Sequence, residues 1–141
     1  MSAFNKILVA YDGSTHSEHA LELAIKIAAG SDAVIGLVYA YDKVPAFLGE
    51  PDYETLTSKA ALRAQELIDA VAAKLAGRGS VVATNVLQGP AANAILHVAE
   101  MEQYDLIVMG SRGLSDWQGA LLGSISHRVL HHAQVPVLIV R

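Results

Sequence analysis

The chain has 141 residues, 52% hydrophobic and 17% charged, a balance that suits one folded core and excludes the polar, highly charged signature of disorder. Ten Lys and Arg against fourteen Asp and Glu leave a formal net charge of -4, so there is no basic field to draw in a nucleic-acid backbone. Cysteine is absent, which excludes disulfides, thiolate chemistry and thiolate-bound metals, and no N-terminal apolar run reaches the roughly 7 residues of a secretory core or the ~20 of a membrane span. The expectation is a single domain over residues 1–141, cytoplasmic and without direct membrane insertion.

Lys6 to Asp12 is a continuous apolar run of strand length ending in an Asp-Gly turn signal, and reads as the first strand. Thr15 followed by Glu18 has the spacing of a capping box; Leu21, Ala24, Ile25 and Ala28 share a face, and Gly30 fits the residue beyond a helix end. Ala33–Tyr41 is a second strand without alternation, as expected where both sheet faces are covered. The segment 42–52, with two prolines and a glycine, is a loop. Tyr53–Ala76 has the composition and periodicity of a long helix ending before Gly77 and Gly79. Val81–Leu87 supplies a third strand, Gly89-Pro90 opens a helix over Ala91–Glu102, and Asp105–Gly110 forms a fourth strand. A loop from Ser111 to Leu122 leads through Gly123-Ser124 into a fourth helix reaching His132, and Val137–Val140 closes the series. Strands alternating with helices imply an α/β fold: an open, Rossmann-like parallel sheet of five strands with helices on both faces and ligands at the strands' carboxyl ends.

The spacing Gly110-x2-Gly113-x9-Gly123-Ser124 spans the loop between the fourth strand and the fourth helix. Glycine at 110 and 113 allows positive φ and a close approach of backbone to a phosphate chain. At Gly123-Ser124-Ile125-Ser126 the free amides of a helix start form an anion site, with Ser124 and Ser126 as hydroxyl donors. The plain structural reading of the same residues is a turn and a helix cap, and Asp12 is likewise open to a turn or capping role. Neither a Gly-x4-Gly-Lys-Ser/Thr loop nor a Gly-x-Gly-x2-Gly after the first strand occurs, which argues against a P-loop NTPase and a Rossmann dehydrogenase.

ILVAYDGS near the start, DLIVMGSRG, the glycine spacing above and GSISHRVLHHAQVPVLIV together resemble the universal stress protein family, in its subgroup that binds ATP through this motif. The resemblance spans the whole chain and implies strand order 3-2-1-4-5, with Asp12 and Gly110 facing one cleft. It implies ATP as ligand: Ala10 and Asp12 at the adenosine end, Asp12 holding ribose or a Mg²⁺ water, and Ala40 against adenine. Met109, Gly110, Arg112 and Gly113 would follow the sugar and phosphates, and Gly123, Ser124, Ile125 and Ser126 would cradle the phosphate tail. It also implies a homodimer through the edge strand Val137–Val140, an exposed template that a loop or helix of the same subunit would otherwise cover. Asp116 departs from the pattern by placing a carboxylate near the phosphates, to repel them or to share a Mg²⁺.

His127 and His131 share a helix face at metal-pair spacing but lack an evident third ligand, and read as surface or dimer-contact residues. Ser126 beside His127 lacks the Gly-x-Ser-x-Gly elbow of a hydrolase, and Trp117 reads as a cover for apolar surface. A phosphate cradle with no P-loop lysine points to a nucleotide-dependent regulatory module with little or no turnover, and the resemblance implies a stress-response role for it. The alternatives are a slow ATPase or autophosphorylating protein, with Ser124 or Ser126 as acceptor, and a scaffold with no ligand; the sequence leaves the regulated protein partner open.

Overall fold

The computed structural model of the chain describes residues 3–42, 52–78, 82–113 and 122–141. In chain order the elements are β1 (Lys6–Ala10), α1 (Thr15–Ala28), β2 (Val34–Tyr41), α2 (Asp52–Gly77), β3 (Val82–Gln88), α3 (Ala91–Met101), β4 (Leu106–Gly110), α4 (Ser124–His132) and β5 (Val137–Val140). Strand three begins and ends one residue later than its apolar pattern suggests, and α3 stops at Met101 with Glu102 as its cap.

The strands form one sheet in the order β3-β2-β1-β4-β5, every ladder parallel. In register, Leu8 lies opposite Ile107 and Val9 opposite Val108, so β1 and β4 are neighbours although most of the chain separates them. This is the point where successive crossovers go to opposite sides, and the carboxyl ends of the two strands diverge there into a crevice. β3 and β5 are the sheet edges.

Side chains alternate across a strand, and here both sides meet helices. Ile7, Val9, Ile35, Leu37, Leu106 and Val108 pack on Leu21 and Ala24 of α1 and Ile68 and Leu75 of α2. Leu8, Val38, Ile107 and Met109 pack on Ile95, Val98 and Ala99 of α3 and Val129 of α4. Ile7, Leu8 and Val9 are therefore all fully buried, which is why the run shows no polar alternation. Gly36 serves this second layer: a Cβ there would fall 1.9 Å from the Tyr104 hydroxyl, so the glycine makes room for the ring.

The start of α1 differs from the capping box expected at Thr15. Ser14 is the N-cap, at φ -71 and ψ 160, and its side chain accepts from the Ser17 amide. Gly13, at φ +84, turns the chain after Asp12 and places Ser14 rather than Thr15 in the extended conformation a cap needs. Glu18 accepts instead from the Tyr11 hydroxyl. At the other end, Gly30 with φ +76 follows Ala29, as a residue just past a helix should. Among the described residues no helix is long and apolar enough to cross a membrane.

Candidate functional site

The crevice beyond β1 and β4 is a cleft enclosing about 490 Å³ of space, part of it open to solvent. Ala10, Val38, Ala40 and Met109 supply a floor from three strands, Ala91 and Ile95 a wall from α3, and Ile125 and Ser126 a wall from α4. Asp12, Gly110, Arg112 and Gly113 line its strand-end rim. Of the residues that the resemblance assigns to the nucleotide, Gly123 and Ser124 alone stand outside this lining. Gly123 is buried and donates its amide to Ser111 O at 2.6 Å, while Ser124 is exposed and lines the adjoining groove.

Asp12 is half-buried, and its turn role is filled. One carboxylate oxygen accepts from the Ser14 amide at 2.9 Å, closing the turn into α1, and the side chain also lines the cleft. Its negative charge, after burial, helps push the Tyr39 phenol above its ordinary value, with Asp42 adding to the effect. Tyr11 is raised further, first by burial, then by its hydrogen bond to Glu18 and the nearby carboxylates, so it stays a neutral donor.

Gly110 has a different reason for being glycine than a positive φ: among the described residues the positive-φ glycines are Gly13 and Gly30. A Cβ on Gly110 would lie 2.6 Å from the His16 Cβ and 2.8 Å from its carbonyl carbon, so the missing side chain lets α1 cross the end of β4. Ser126 is also committed, since its buried hydroxyl donates to Gly110 O at 2.7 Å and ties α4 to β4. That bond leaves Ser124 as the free-standing hydroxyl of the helix start, and it removes the proton of Ser126 from any dyad with His127.

The helix starts around the cleft differ in their caps. α1 is closed by Ser14, whereas α3 begins at Pro90 and α4 at Gly123, neither with a side-chain hydrogen bond to a first-turn amide. Ala91 of α3 and Ile125 and Ser126 of α4 belong to those open first turns and line the cleft. Helix starts left this way present amide donors and the positive end of the helix dipole to whatever enters.

Tyr11, Ser17, Val38, Ala91 and Ile95 line the cleft without having been singled out. Three of them carried a signal: Val38 sits two residues before Ala40 on the same strand face, and Ala91 and Ile95 are four apart on a helix. Asp116 and Trp117 lie outside the described residues. His127 and His131 stack with ring centroids 6.3 Å apart, and among the described residues no group of three or more His, Asp or Glu is placed to hold a metal.

Residues 3–141 match the model of the universal stress protein family. The chain is 43% identical, over 98% of its length and 99% of the relative's, to the universal stress protein in QAH/OAS sulfhydrylase 3' region of Thermus aquaticus. Universal stress protein UspA from Lactobacillus plantarum superimposes with a TM-score of 0.84 at 25% identity, with 97% of each chain covered. A universal stress protein solved in complex with cAMP superimposes at 0.73, with 28% identity and 99% of each chain covered. A full-length match of sequence and of fold leaves one conclusion: the chain belongs to the universal stress protein family.

Proposed function

We propose that this protein binds ATP in the cleft and acts as a nucleotide-dependent regulatory module of the stress response with little or no turnover. The observation that carries the proposal is the meeting of an apolar floor, Ala10, Val38, Ala40 and Met109, with two side-chain-uncapped helix starts at Ala91 and Ser124. A flat base favours the first and a phosphate chain the second. The relative solved with cAMP adds support, since it pairs this fold with an adenine nucleotide. Adenine would lie by Ala40 and Ile95, ribose by Ala10 and Asp12, and the phosphates along Gly110, Arg112 and Gly113 toward Gly123, Ser124, Ile125 and Ser126. Mg²⁺ fits only as a shared ion: Asp12 offers one carboxylate, already bonded to Ser14 N, so phosphate oxygens and water would complete its shell.

Low turnover follows from what lines the cleft. Arg112 is the sole cation among the described lining residues, and phosphoryl transfer relies on several charges held around the transferring group. Nucleotide occupancy would bias the dimer formed through the β5 edge, Val137–Val140. The test is to acid-denature the purified protein, chromatograph the supernatant for adenine nucleotide, and weigh the intact chain after incubation with ATP. Released nucleotide and an unchanged mass are expected. A metal-dependent hydrolysis rate abolished by Asp12→Ala, or a phosphorylated chain, would replace the regulatory reading with the enzymatic one; no nucleotide and no thermal shift with ATP would refute both.

A further inference from the structure

Beside the cleft, and sharing Ala91 and Ile125 with it, a wider groove of about 850 Å³ on the same measure runs between α3 and α4. Its charged and titratable lining is His127, Arg128, His131 and His132, with no carboxylate among the described residues. This is local cationic character in a chain whose formal net charge is -4. Arg128 makes no ion pair among the described residues, and the imidazoles crowd one another: His127 and His131 are 6.3 Å apart and His131 and His132 5.1 Å apart between centroids. Of the titratable groups on α3, Glu100 shares a further cavity with His132 and His97 lies outside both; β5 contributes none, and Arg112 belongs to the cleft.

From this juxtaposition we infer that the groove is a second anion subsite, taking the distal phosphates of a nucleotide whose phosphate chain is longer than that of ATP. The nucleotide identity rests on the function proposed above; the anion chemistry of the groove does not. Arg128 is a permanent cation and a natural partner for phosphate oxygens. The imidazoles of His127, His131 and His132, clustered beside it, add ring N–H donors for the same oxygens. The groove adjoins the cleft, with Ala91 and Ile125 lining both, and Ser124 at the α4 helix start lines the groove.

The test titrates the full-length protein calorimetrically with inorganic tripolyphosphate, and separately with ATP and adenosine 5′-tetraphosphate, at about 20 mM salt to limit screening. The comparison protein is Arg128→Ala/His131→Ala, both exposed positions whose loss should leave the circular dichroism and melting temperature of the fold in place. In the wild type tripolyphosphate binds, and the tetraphosphate binds about tenfold tighter than ATP, the scale of two or three exposed charge contacts. Both effects shrink in the double variant. Equal affinity for ATP and the tetraphosphate, or an advantage that survives in the double variant, would overturn the groove assignment even if ATP binds. Tripolyphosphate bound through Arg128 and His131 by a protein that ignores ATP would uphold the groove and sink the adenine reading.

Discussion

Gly110→Ala is the sharpest single-residue perturbation of this fold. The added Cβ would stand 2.6 Å from the His16 Cβ and 2.8 Å from the His16 carbonyl carbon. Both are far inside the contact distance of two carbons, near 3.5 Å or more. One is backbone, so no rotamer change relieves it and α1 itself must move. That helix is held at its start by Asp12 on Ser14 N (2.9 Å) and by Ser14 on the Ser17 amide (3.2 Å), and in its middle by Ala20, Leu21 and Ala24 in the core. Overpacking of this kind costs about 1–3 kcal/mol. For a domain of this size that is roughly 3–10 °C in melting temperature. Gly77→Ala is the matched control, because a Cβ at the end of α2 meets nothing within 4 Å and its φ is not in the left-handed range; it should be neutral or stabilising by about 0.5–1 kcal/mol. Denaturant unfolding of both variants gives the two free energies directly. A Gly110→Ala protein within about 0.5 kcal/mol of wild type would refute the packing reason offered for that glycine.

Tyr104→Phe should be neutral or stabilising, by up to about 1 kcal/mol, because the Tyr104 hydroxyl is buried against Gly36 with no hydrogen-bond partner among the described residues. A clear loss in the same unfolding assay would mean that the hydroxyl has a partner after all. Tyr11, Tyr39 and Tyr104 all have phenols raised above their ordinary value, each first by burial, and together they are three of the five tyrosines. A raised phenol holds its proton more tightly in the folded than in the unfolded chain, so its contribution is complete below about pH 10 and lost as pH climbs through the folded values. Phenolate absorbance from at least these three should therefore develop together with loss of circular dichroism above pH 10; gradual ionisation with the native spectrum retained would contradict it.

The strands were legible because burial on both faces removes alternation and leaves apolar runs such as ILVAY and LIVMG, bounded by turn residues. Strand order followed from the family resemblance, and the register of Leu8 with Ile107 bears it out. Local chemistry was harder to place where two residues compete for one role. Ser14 and Thr15 both offer a hydroxyl, and the choice between them falls to the positive φ of Gly13, which a sequence does not display. Gly110 shows a second kind of limit: glycine marks a close approach, but the neighbour, here His16 from a helix packed across the strand end, is a tertiary fact. Ala91 and Ile95 were readable as the apolar stripe of a helix and not as a cleft wall, since that stripe meets both core and cleft.

The central claim is that the cleft between the strand ends and the starts of α3 and α4 holds adenine nucleotide, and filling it tests this most directly. Ala40 is half-buried in its floor, and Ala40→Trp would occupy the space assigned to the base. Equilibrium titration of nucleotide-free protein with ATP should give saturable one-to-one binding to wild type, and at least about a hundredfold weaker binding to a still-folded Ala40→Trp variant, the scale of a lost base contact of roughly 2–3 kcal/mol. No saturable binding to the wild type, or equal affinity in the two proteins, would contradict the account.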